Sequence, residues 1–254
     1  MNHLVITVSA DSSLQLLGEY ADFIVLDKDP MPAELKSYKS VYIRSHFSTP
    51  ELSPQNYRTE IEGLLKKVLD KNKDVYFFDN MNTVDAIVEF EDKWRQYEKF
   101  AEFMPLTKQL SNSDSPEFMV PIYKKRLSSR GNGVTWNRSE VSEDLNDWII
   151  QETLDIVEEI RIYTINGDIY PIGAIRRSMT DEHKTLAINY RKLTAEEIDF
   201  ATKITAKAPS FSVLGLDIAH TKEDGLFLME VNRSPGFGAF EKLTNVNLAD
   251  FIYR

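Results

Sequence analysis

Residues 215–237 have the sequence GLDIAHTKEDGLFLMEVNRSPGF, in which two apolar runs flank a polar turn. Asp217 and Glu230 interrupt these runs 13 positions apart, so a hairpin can set them side by side. Asn232 follows Glu230 by two residues and therefore shares its face of the sheet. Burying two like charges is costly without a cation, and Mg²⁺ prefers carboxylate and amide oxygens. The stretch predicts a hairpin with a magnesium site at Asp217, Glu230 and Asn232; a solvated outer face bearing two acids is the alternative.

A second polar segment, IYKKRLSSRGNGV at 122–134, begins with a predicted strand. Its two glycines can let backbone N–H groups close over a polyphosphate, while Lys124 supplies a point charge. The segment is not a P-loop, because the pattern G-x-x-x-x-G-K-[ST] is absent. A solvated hairpin loop with an incidental Lys-Lys-Arg run is the alternative, and the segment by itself favours this alternative.

The first ninety residues alternate short apolar runs with helical periods. Ser53-Pro54 opens a helix whose apolar residues form one stripe, and a shorter helix is predicted at 14–20. Continuous β-branched runs are typical of strands in a parallel sheet. They lie at residues 4–8, 23–26, 41–43 and 75–78. The pattern predicts a small α/β lobe with a parallel sheet over residues 1–90.

The remainder, 91–254, changes to hairpins and helices. Asn166-Gly167 supplies the two positive-φ residues of a type I′ turn between strands at 159–165 and 168–175. A capping box at Thr194 opens another helix. The other predicted elements are a helix at 90–103 and strands at 118–123, 148–151, 213–219 and 226–231. This part of the chain therefore predicts an α+β arrangement with antiparallel sheet.

Composition excludes several classes of protein. The 254 residues include no cysteine, which excludes disulfide scaffolds, thiol nucleophiles and thiolate metal sites. The net charge of −10 argues against non-specific binding to nucleic acid or anionic membranes. No apolar run approaches the ~20 residues of a membrane helix, and the N-terminus lacks a signal-peptide pattern. We therefore expect a soluble cytoplasmic protein that binds neither nucleic acid nor membrane.

Together, the two motifs resemble the ATP-grasp superfamily from about Asp79 onward. The most specific part is D…E-V-N-x-S-P-G, and it most resembles the branch of ribosomal-protein glutamate ligases and glutathione synthetases. The resemblance implies a two-lobed ATP-grasp domain over residues 91–254 that follows the small N-terminal domain. Its two lobes would meet near 151–155.

The resemblance also implies ligands for ATP and Mg²⁺, with Mn²⁺ as a possible substitute. Lys93 in FEDKW looks like the first nucleotide lysine, and Lys124 in VPIYKK looks like the second. Asp217, Glu230 and Asn232 match the metal triad. The remaining nucleotide contacts would come from the glycine-rich loop, from the hinge in WIIQETL and from an acidic ribose ligand: Ser128, Ser129, Arg130, Gly131, Gly133, Gln151, Glu152, Thr153, Leu154 and Glu159.

The implied reaction is ligation of a carboxylate donor to an amine acceptor, both small molecules or peptides. The carboxylate attacks the γ-phosphate of ATP to give an acylphosphate, and the amine then displaces phosphate. Lys124 and Arg177 would be catalytic, because the family keeps an arginine at the latter position to hold the carboxylate. Arg161 and Arg233 are lesser candidates for that role. A homodimer is also possible.

Two other classes of function stay open. A small-metabolite kinase on the same scaffold would release no free phosphate, and a regulatory nucleotide-binding module would show little turnover. Arg44 follows a predicted parallel strand, where it would either contact substrate or form a salt bridge. The four histidines are too scattered for a zinc site, although His220, at the end of the predicted strand that contains Asp217, could line the pocket.

Overall fold

The computed structural model describes residues 1–111, 118–128, 132–141, 144–178, 189–208, 213–223 and 225–253, and gives only the backbone of 176–178. One buried apolar cluster joins the N-terminal part of the chain to its C-terminal half, because Leu4, Ile61, Phe100, Ile160 and Ile204 all belong to it, while Tyr123, Trp148 and Ile150 form a separate buried cluster. Within those residues, no helix combines the length and the apolar character needed to cross a bilayer.

The N-terminal sheet is parallel. Its strands are β1 (His3–Thr7), β2 (Asp22–Val25), β3 (Ser40–Ile43) and β4 (Tyr76–Phe77), in the order β2-β1-β3-β4. The helices α1 (Leu14–Leu17) and α2 (Pro54–Lys71) lie between them in the chain. α2 begins where Ser53 accepts a hydrogen bond from the N–H of Asn56, and it buries the predicted stripe from Tyr57 to Val68. The predicted parallel-sheet lobe is confirmed, although α1 and β4 are shorter than predicted.

The helix predicted at 90–103 corresponds to α4 (Lys93–Phe100), and a further helix that was not predicted, α3 (Val84–Glu91), lies directly before it. Asp92 separates them. Its backbone is extended, at φ −70° and ψ 116°, and its side chain accepts a hydrogen bond from the N–H of Trp94. A carboxylate placed here caps the second helix and so ends the first. The predicted start at Phe90 was therefore wrong, and the break sets Lys93 at the very start of α4.

Two antiparallel sheets follow. The first, in the order β5-β8-β6-β7, contains β5 (Thr107–Gln109), β6 (Pro121–Lys125), β7 (Val134–Thr135) and β8 (Trp148–Glu152). The second, in the order β12-β11-β9-β13-β14 with β10 beside β9, contains β9 (Ile156–Ile165), β10 (Asp168–Ile169), β11 (Ile172–Ser178), β12 (Asn189–Lys192), β13 (Val213–Thr221) and β14 (Leu226–Asn232). The predicted combination of α/β and α+β architecture is confirmed.

The predicted Asn166-Gly167 turn is present, with positive φ at both residues. The strand predicted at 168–175 is divided into β10 and β11 at Tyr170-Pro171. Proline has no N–H to donate to a sheet, which explains the break. The predicted capping box at Thr194 begins α5 (Ala195–Lys207), and α6 (Gly238–Thr244) and α7 (Ala249–Tyr253) end the described chain.

The segment after β14 attaches the second antiparallel sheet to the N-terminal sheet. The backbone N–H of Phe237 donates to the hydroxyl of Ser13 at 3.1 Å, and the Tyr42 hydroxyl donates to the carbonyl of Arg233 at 3.3 Å. Gly238 lies so close to this lobe that an added Cβ would be 2.3 Å from the backbone oxygen of Ser12. A side chain at 238 is therefore incompatible with this contact, which holds the hairpin of β13 and β14 against the first lobe.

Candidate active site

The hairpin of β13 and β14 brings the three predicted metal ligands together. Asp217 pairs directly with Glu230, and Gly215 pairs with Asn232. The register shifts immediately after Asp217, so that Met229 is the extra residue of a β-bulge. The side-chain amide of Asn232 donates to Asp217 Oδ2 at 3.1 Å. Because the amide nitrogen makes this bond, its carbonyl oxygen is directed elsewhere and can serve as a ligand.

Arg161 holds the carboxylate of Asp217 from the neighbouring strand β9. Its Nε donates to Oδ1 at 2.6 Å and its Nη2 to Oδ2 at 2.5 Å, a bidentate pair. The carboxylate raises the pKa of the Arg161 guanidinium above its usual range, against the opposing effect of burial. Arg161, a lesser candidate for binding a substrate carboxylate, is thus engaged with a predicted metal ligand.

Lys93 links the glycine-rich loop to the metal hairpin. Its ammonium donates to the backbone oxygen of Ser128 at 2.7 Å and to the hydroxyl of Ser128 at 3.2 Å. The same nitrogen lies 3.7 Å from Glu230 Oε1. Lys93, the first residue of α4, therefore contacts both the glycine-rich loop and the hairpin of β13 and β14.

Lys124 extends from β6 into the same space. Its ammonium donates to the side-chain oxygen of Gln151 at 2.6 Å. Burial and the positive charge of Lys93 lower the pKa of Lys124 to about 8, against the opposing effect of Glu230 and Glu159. Two lysines and two carboxylates from four different elements thus lie within electrostatic range of one another.

The stems of the predicted loop are close together, since the N–H of Lys125 donates to the carbonyl of Gly133 at 2.7 Å. Gly133 has φ +68°, and an added Cβ would lie 2.7 Å from Cβ of Lys125, so both its conformation and its surroundings require glycine. The predicted nucleotide ligands Ser129, Arg130 and Gly131 lie outside the described residues.

At the predicted hinge, Gln151 is buried and Glu152 accepts a hydrogen bond from the N–H of Leu106 at 2.7 Å. Thr153 and Leu154 lie in the short segment between β8 and β9. Their predicted contacts with adenine stay predictions. So does the catalytic role of Arg177, whose backbone pairs with Glu159 but whose side chain is outside the description.

Two arginines considered as substrate ligands are buried in structural ion pairs instead. Arg233 pairs with Glu91 at 2.7 Å, and Arg44 pairs with Asp11 at 2.8 Å. Both guanidiniums are almost completely shielded from solvent. The prediction that Arg233 holds a substrate carboxylate was wrong, and for Arg44 the salt-bridge alternative is confirmed.

His220 lies on the opposite face of β13 from Asp217. Its Nε2 is 2.7 Å from Glu197 of α5, and these two residues and Glu158 have ligand atoms within 4.8 Å of one another. Arg191 already supplies a cation there, because its guanidinium donates to both glutamates. The cluster is a salt-bridge network, and the suggestion that His220 lines the pocket was wrong.

Gln96 is a positioning residue that the sequence did not reveal. Its amide donates to the carbonyl of Val231 and its carbonyl accepts the N–H of Val231, both at 3.0 Å. The side chain of α4 thereby pairs with β14 as a neighbouring strand would, at the residue between Glu230 and Asn232. The sequence showed only an aromatic helix suited to packing, so no pattern distinguished this polar residue.

A cleft of about 800 Å³ separates the N-terminal lobe from the stems of the glycine-rich loop. One wall is the segment 47–54, which includes Phe47 and Leu52, and the other includes Leu127 and Ser128. Ser128, which lines this cleft, also accepts a hydrogen bond from Lys93, so the cleft lies next to the cluster of lysines and carboxylates. A volume of this size accommodates a ligand of several residues.

Comparison with known proteins agrees with this geometry. The family described as "RimK-like ATP-grasp domain" matches residues 117–254, more than half of the chain. Probable alpha-L-glutamate ligase 2 of Shewanella denitrificans is 34% identical over 100 residues, which cover 37% of this chain and 32% of that protein. The chain thus aligns with about a third of the length of this curated relative.

Two solved structures share the fold over nearly the whole chain. The ATP-grasp ligase PsnB, complexed with minimal precursor, Mg and ADP, has a TM-score of 0.62 and 17% identity, and the match covers 99% of this chain and 96% of PsnB. A RiPP-associated ATP-grasp ligase of Chryseobacterium gregarium, in complex with ADP and a leader and core peptide, has a TM-score of 0.64 and 15% identity over the same shares.

Proposed function

This chain belongs to the RimK-like ATP-grasp family, and on that premise we propose that it is an ATP- and Mg²⁺-dependent ligase joining a carboxylate to an amine. The observation that carries the proposal is the direct pairing of Asp217 with Glu230, with Asn232 beside them and Lys93 3.7 Å from Glu230. Oxygen ligands and ammonium groups in one cluster match the needs of a metal-bound polyphosphate.

The donor set fits Mg²⁺ chemically. Asp217, Glu230 and Asn232 offer carboxylate and amide oxygens, which Mg²⁺ and Mn²⁺ both accept. When bound, Mg²⁺ would neutralise phosphate charge during transfer. Lys93 and Lys124 would offset the remaining charge of the nucleotide, and Arg161 would keep the carboxylate of Asp217 in a fixed orientation.

The proposed reaction has two steps. A carboxylate oxygen of the donor attacks the γ-phosphorus of ATP, the bond to ADP breaks, and an acylphosphate results. The amine nitrogen then attacks the acyl carbon, inorganic phosphate leaves and the amine loses a proton. Arg177 would hold the donor carboxylate. The stems of the loop at Lys125 and Gly133 would restrict water, which protects the acylphosphate from hydrolysis.

The substrate class is proposed from the cleft of about 800 Å³. Its wall of Phe47 and Leu52 would accommodate an apolar side chain, and Ser128 connects it with Lys93. We therefore favour a peptide over a free amino acid as one of the two substrates. The binding of a leader and core peptide by the related ligase of Chryseobacterium gregarium supports this choice.

The test is a release assay in which Mg-ATP is combined with panels of amino acids and short peptides. A ligase releases ADP and phosphate only when an acid and an amine are both present. Release of ADP without free phosphate would replace the proposal by a kinase, and nucleotide binding without turnover across the panel would replace it by a binding module.

Matched variants refine the result. Glu230→Ala is expected to abolish turnover, whereas Glu223→Ala, an exposed acid in the turn of the same hairpin, leaves it unchanged. A cytoplasmic location is part of the proposal, because ATP is supplied there. A homodimer also stays a prediction, which light scattering of the purified protein checks.

A further inference from the structure

Gln151 lies at the centre of a chain of hydrogen bonds that ends at Lys124. Its side-chain oxygen accepts from the ammonium of Lys124 at 2.6 Å, and its side-chain nitrogen donates to the hydroxyl of Thr107 at 2.8 Å. The hydroxyl of Thr107 donates in turn to the carbonyl of Pro105 at 2.8 Å. Gln151 and Thr107 are both almost fully buried and face each other across β8 and β5.

The direction of these bonds follows from proton inventory. The hydroxyl of Thr107 has one proton, and it is committed to the carbonyl of Pro105. Towards Gln151 the hydroxyl can therefore only accept, so the NH₂ group of the amide must face Thr107. The amide oxygen is then forced to face Lys124, which as an ammonium is a donor only. A flipped amide would set NH₂ against the ammonium and leave two buried donors without acceptors.

We propose that Thr107 is a positioning residue that orients the amide of Gln151, so that its oxygen holds Lys124 in place for the phosphates of the nucleotide. The inference rests on the proposed function, because it assumes that Lys124 contacts a nucleotide. Thr107 belongs to none of the motifs of the sequence, and Gln151 would act through the lysine and not through adenine.

The neutral character of Gln151 has a consequence for charge. A glutamate at 151 would form a buried ion pair with Lys124 and would compete with phosphate for it, whereas an amide oxygen fixes the position and leaves the whole positive charge available. The charged groups that also act on Lys124 are Lys93 of α4, Glu159 of β9 and Glu230 of β14. All three stay unchanged when residue 107 or 151 is replaced.

The first experiment measures the affinity of the full chain for Mg-ADP by calorimetry. Thr107→Val removes the hydroxyl and leaves the buried amide without its acceptor, so we expect roughly a tenfold weaker affinity. Thr107→Ser keeps the hydroxyl and is expected to restore the affinity of the wild type. Thr135→Val removes another buried hydroxyl of the same sheet and should have no effect, because Thr135 binds Glu140 and not the relay.

The second experiment follows Lys124 by NMR of the lysine side chains, with Lys124→Met used to assign its signal. Gln151→Glu is expected to raise the pKa of Lys124 by at least one unit and to weaken Mg-ADP binding. Gln151→Met, which has no acceptor oxygen, is expected to lower the pKa instead. If Gln151 had a purely structural role, the two replacements would not shift the pKa of Lys124 in opposite directions.

The outcomes separate this inference from the proposed function. If Lys124→Met loses nucleotide binding while folded Thr107→Val and Gln151→Met bind as the wild type does, the relay is overturned and the nucleotide site stands. If Lys124→Met itself binds Mg-ADP normally, the proposed nucleotide site is overturned as well. Melting curves of each variant identify those that fail to fold, and in that case the Thr107→Ser and Gln151→Glu proteins supply the comparison.

Discussion

Arg233 and Glu91 form a buried ion pair across 142 positions of the sequence, with Nε at 2.9 Å and Nη2 at 2.7 Å from the same carboxylate oxygen. Arg233 directly follows the predicted metal ligand Asn232, and Glu91 precedes Lys93 by two residues. The guanidinium also donates to the carbonyls of Ile43 and Ser45 in the N-terminal lobe. One side chain therefore connects the end of β14, the end of α3 and the first lobe.

The junction between α3 and α4 extends this connection. Glu91 binds Arg233, Asp92 binds Arg126 at 2.5 Å, and Lys93 binds Ser128. Three consecutive side chains thus contact the hairpin, the end of β6 and the glycine-rich loop.

Arg233→Ala is expected to destabilise the protein by about 3–5 kcal/mol, because it removes the guanidinium partner of a buried carboxylate and leaves Glu91, among the described residues, with only His46 and the N–H of Phe47. Urea denaturation measures the change. Arg58→Ala removes an arginine from exposed pairs with Glu62 and Asp85 and should cost less than about 1 kcal/mol. Equal losses of stability in the two variants would contradict the expectation that a buried ion pair costs more to break than an exposed one.

Stability is expected to fall in acid between about pH 4.5 and pH 2. Burial opposes ionisation, but Arg233 lowers the pKa of Glu91 to about 2, and Arg44 does the same for Asp11. Since both values lie below those of the unfolded chain, the stabilisation is complete above the unfolded pKa and is lost as the pH falls through the folded one. Urea midpoints measured from pH 6 downward check this, and Glu91→Gln should flatten part of the slope.

Replacement of the predicted oxygen ligands is expected to weaken metal binding. Glu230→Gln and Asn232→Ala should each weaken Mn²⁺ binding in the presence of ADP at least tenfold, because each removes or neutralises a donor. Electron paramagnetic resonance of free Mn²⁺ gives the affinity. Wild-type affinity in both variants would exclude the triad as the metal site, and Glu223→Ala provides the control.

Lys124 and Lys125 are neighbours on opposite faces of β6, so they form a matched pair. Lys124→Met should reduce nucleotide affinity at least tenfold, whereas Lys125→Met should not, since Lys125 lines the substrate cleft instead. Because the pKa of Lys124 is about 8, wild-type affinity should decline above pH 8, by at most tenfold per pH unit. Nucleotide affinities measured from pH 6.5 to 9.5 check this, and an affinity that does not change with pH would contradict it.

Two replacements of glycine by alanine should change the stability of the protein in opposite directions. Gly238→Ala places a methyl group 2.3 Å from the backbone oxygen of Ser12 and is expected to destabilise the docking of the two lobes. Gly63→Ala meets nothing closer than 3.8 Å within helix α2, and there alanine should stabilise by about 0.5–1 kcal/mol. Thermal melting of both variants is the measurement.

Local patterns allowed much of the fold to be predicted. Alternation, Ser53-Pro54, Asn166-Gly167 and the capping box at Thr194 act over a few residues, so strands, turns and helix ends could be inferred from them. α3 was missed, and α4 was predicted to begin at Phe90, because the capping bond from the N–H of Trp94 to Asp92 that fixes the start of α4 is visible only in the structure.

The sequence by itself determined the types of chemical group in the site and the hairpin that pairs Asp217 with Glu230, because both depend on residue identity and on a period of two along neighbouring strands. Only the tertiary structure decided which arginines face the site and which are buried. Arg161 and Arg233 look alike in sequence, but one holds Asp217 and the other is enclosed between lobes with Glu91. The partner of a charged side chain is set by folding, since it comes from a residue dozens of positions away, and local periodicity carries no information about it.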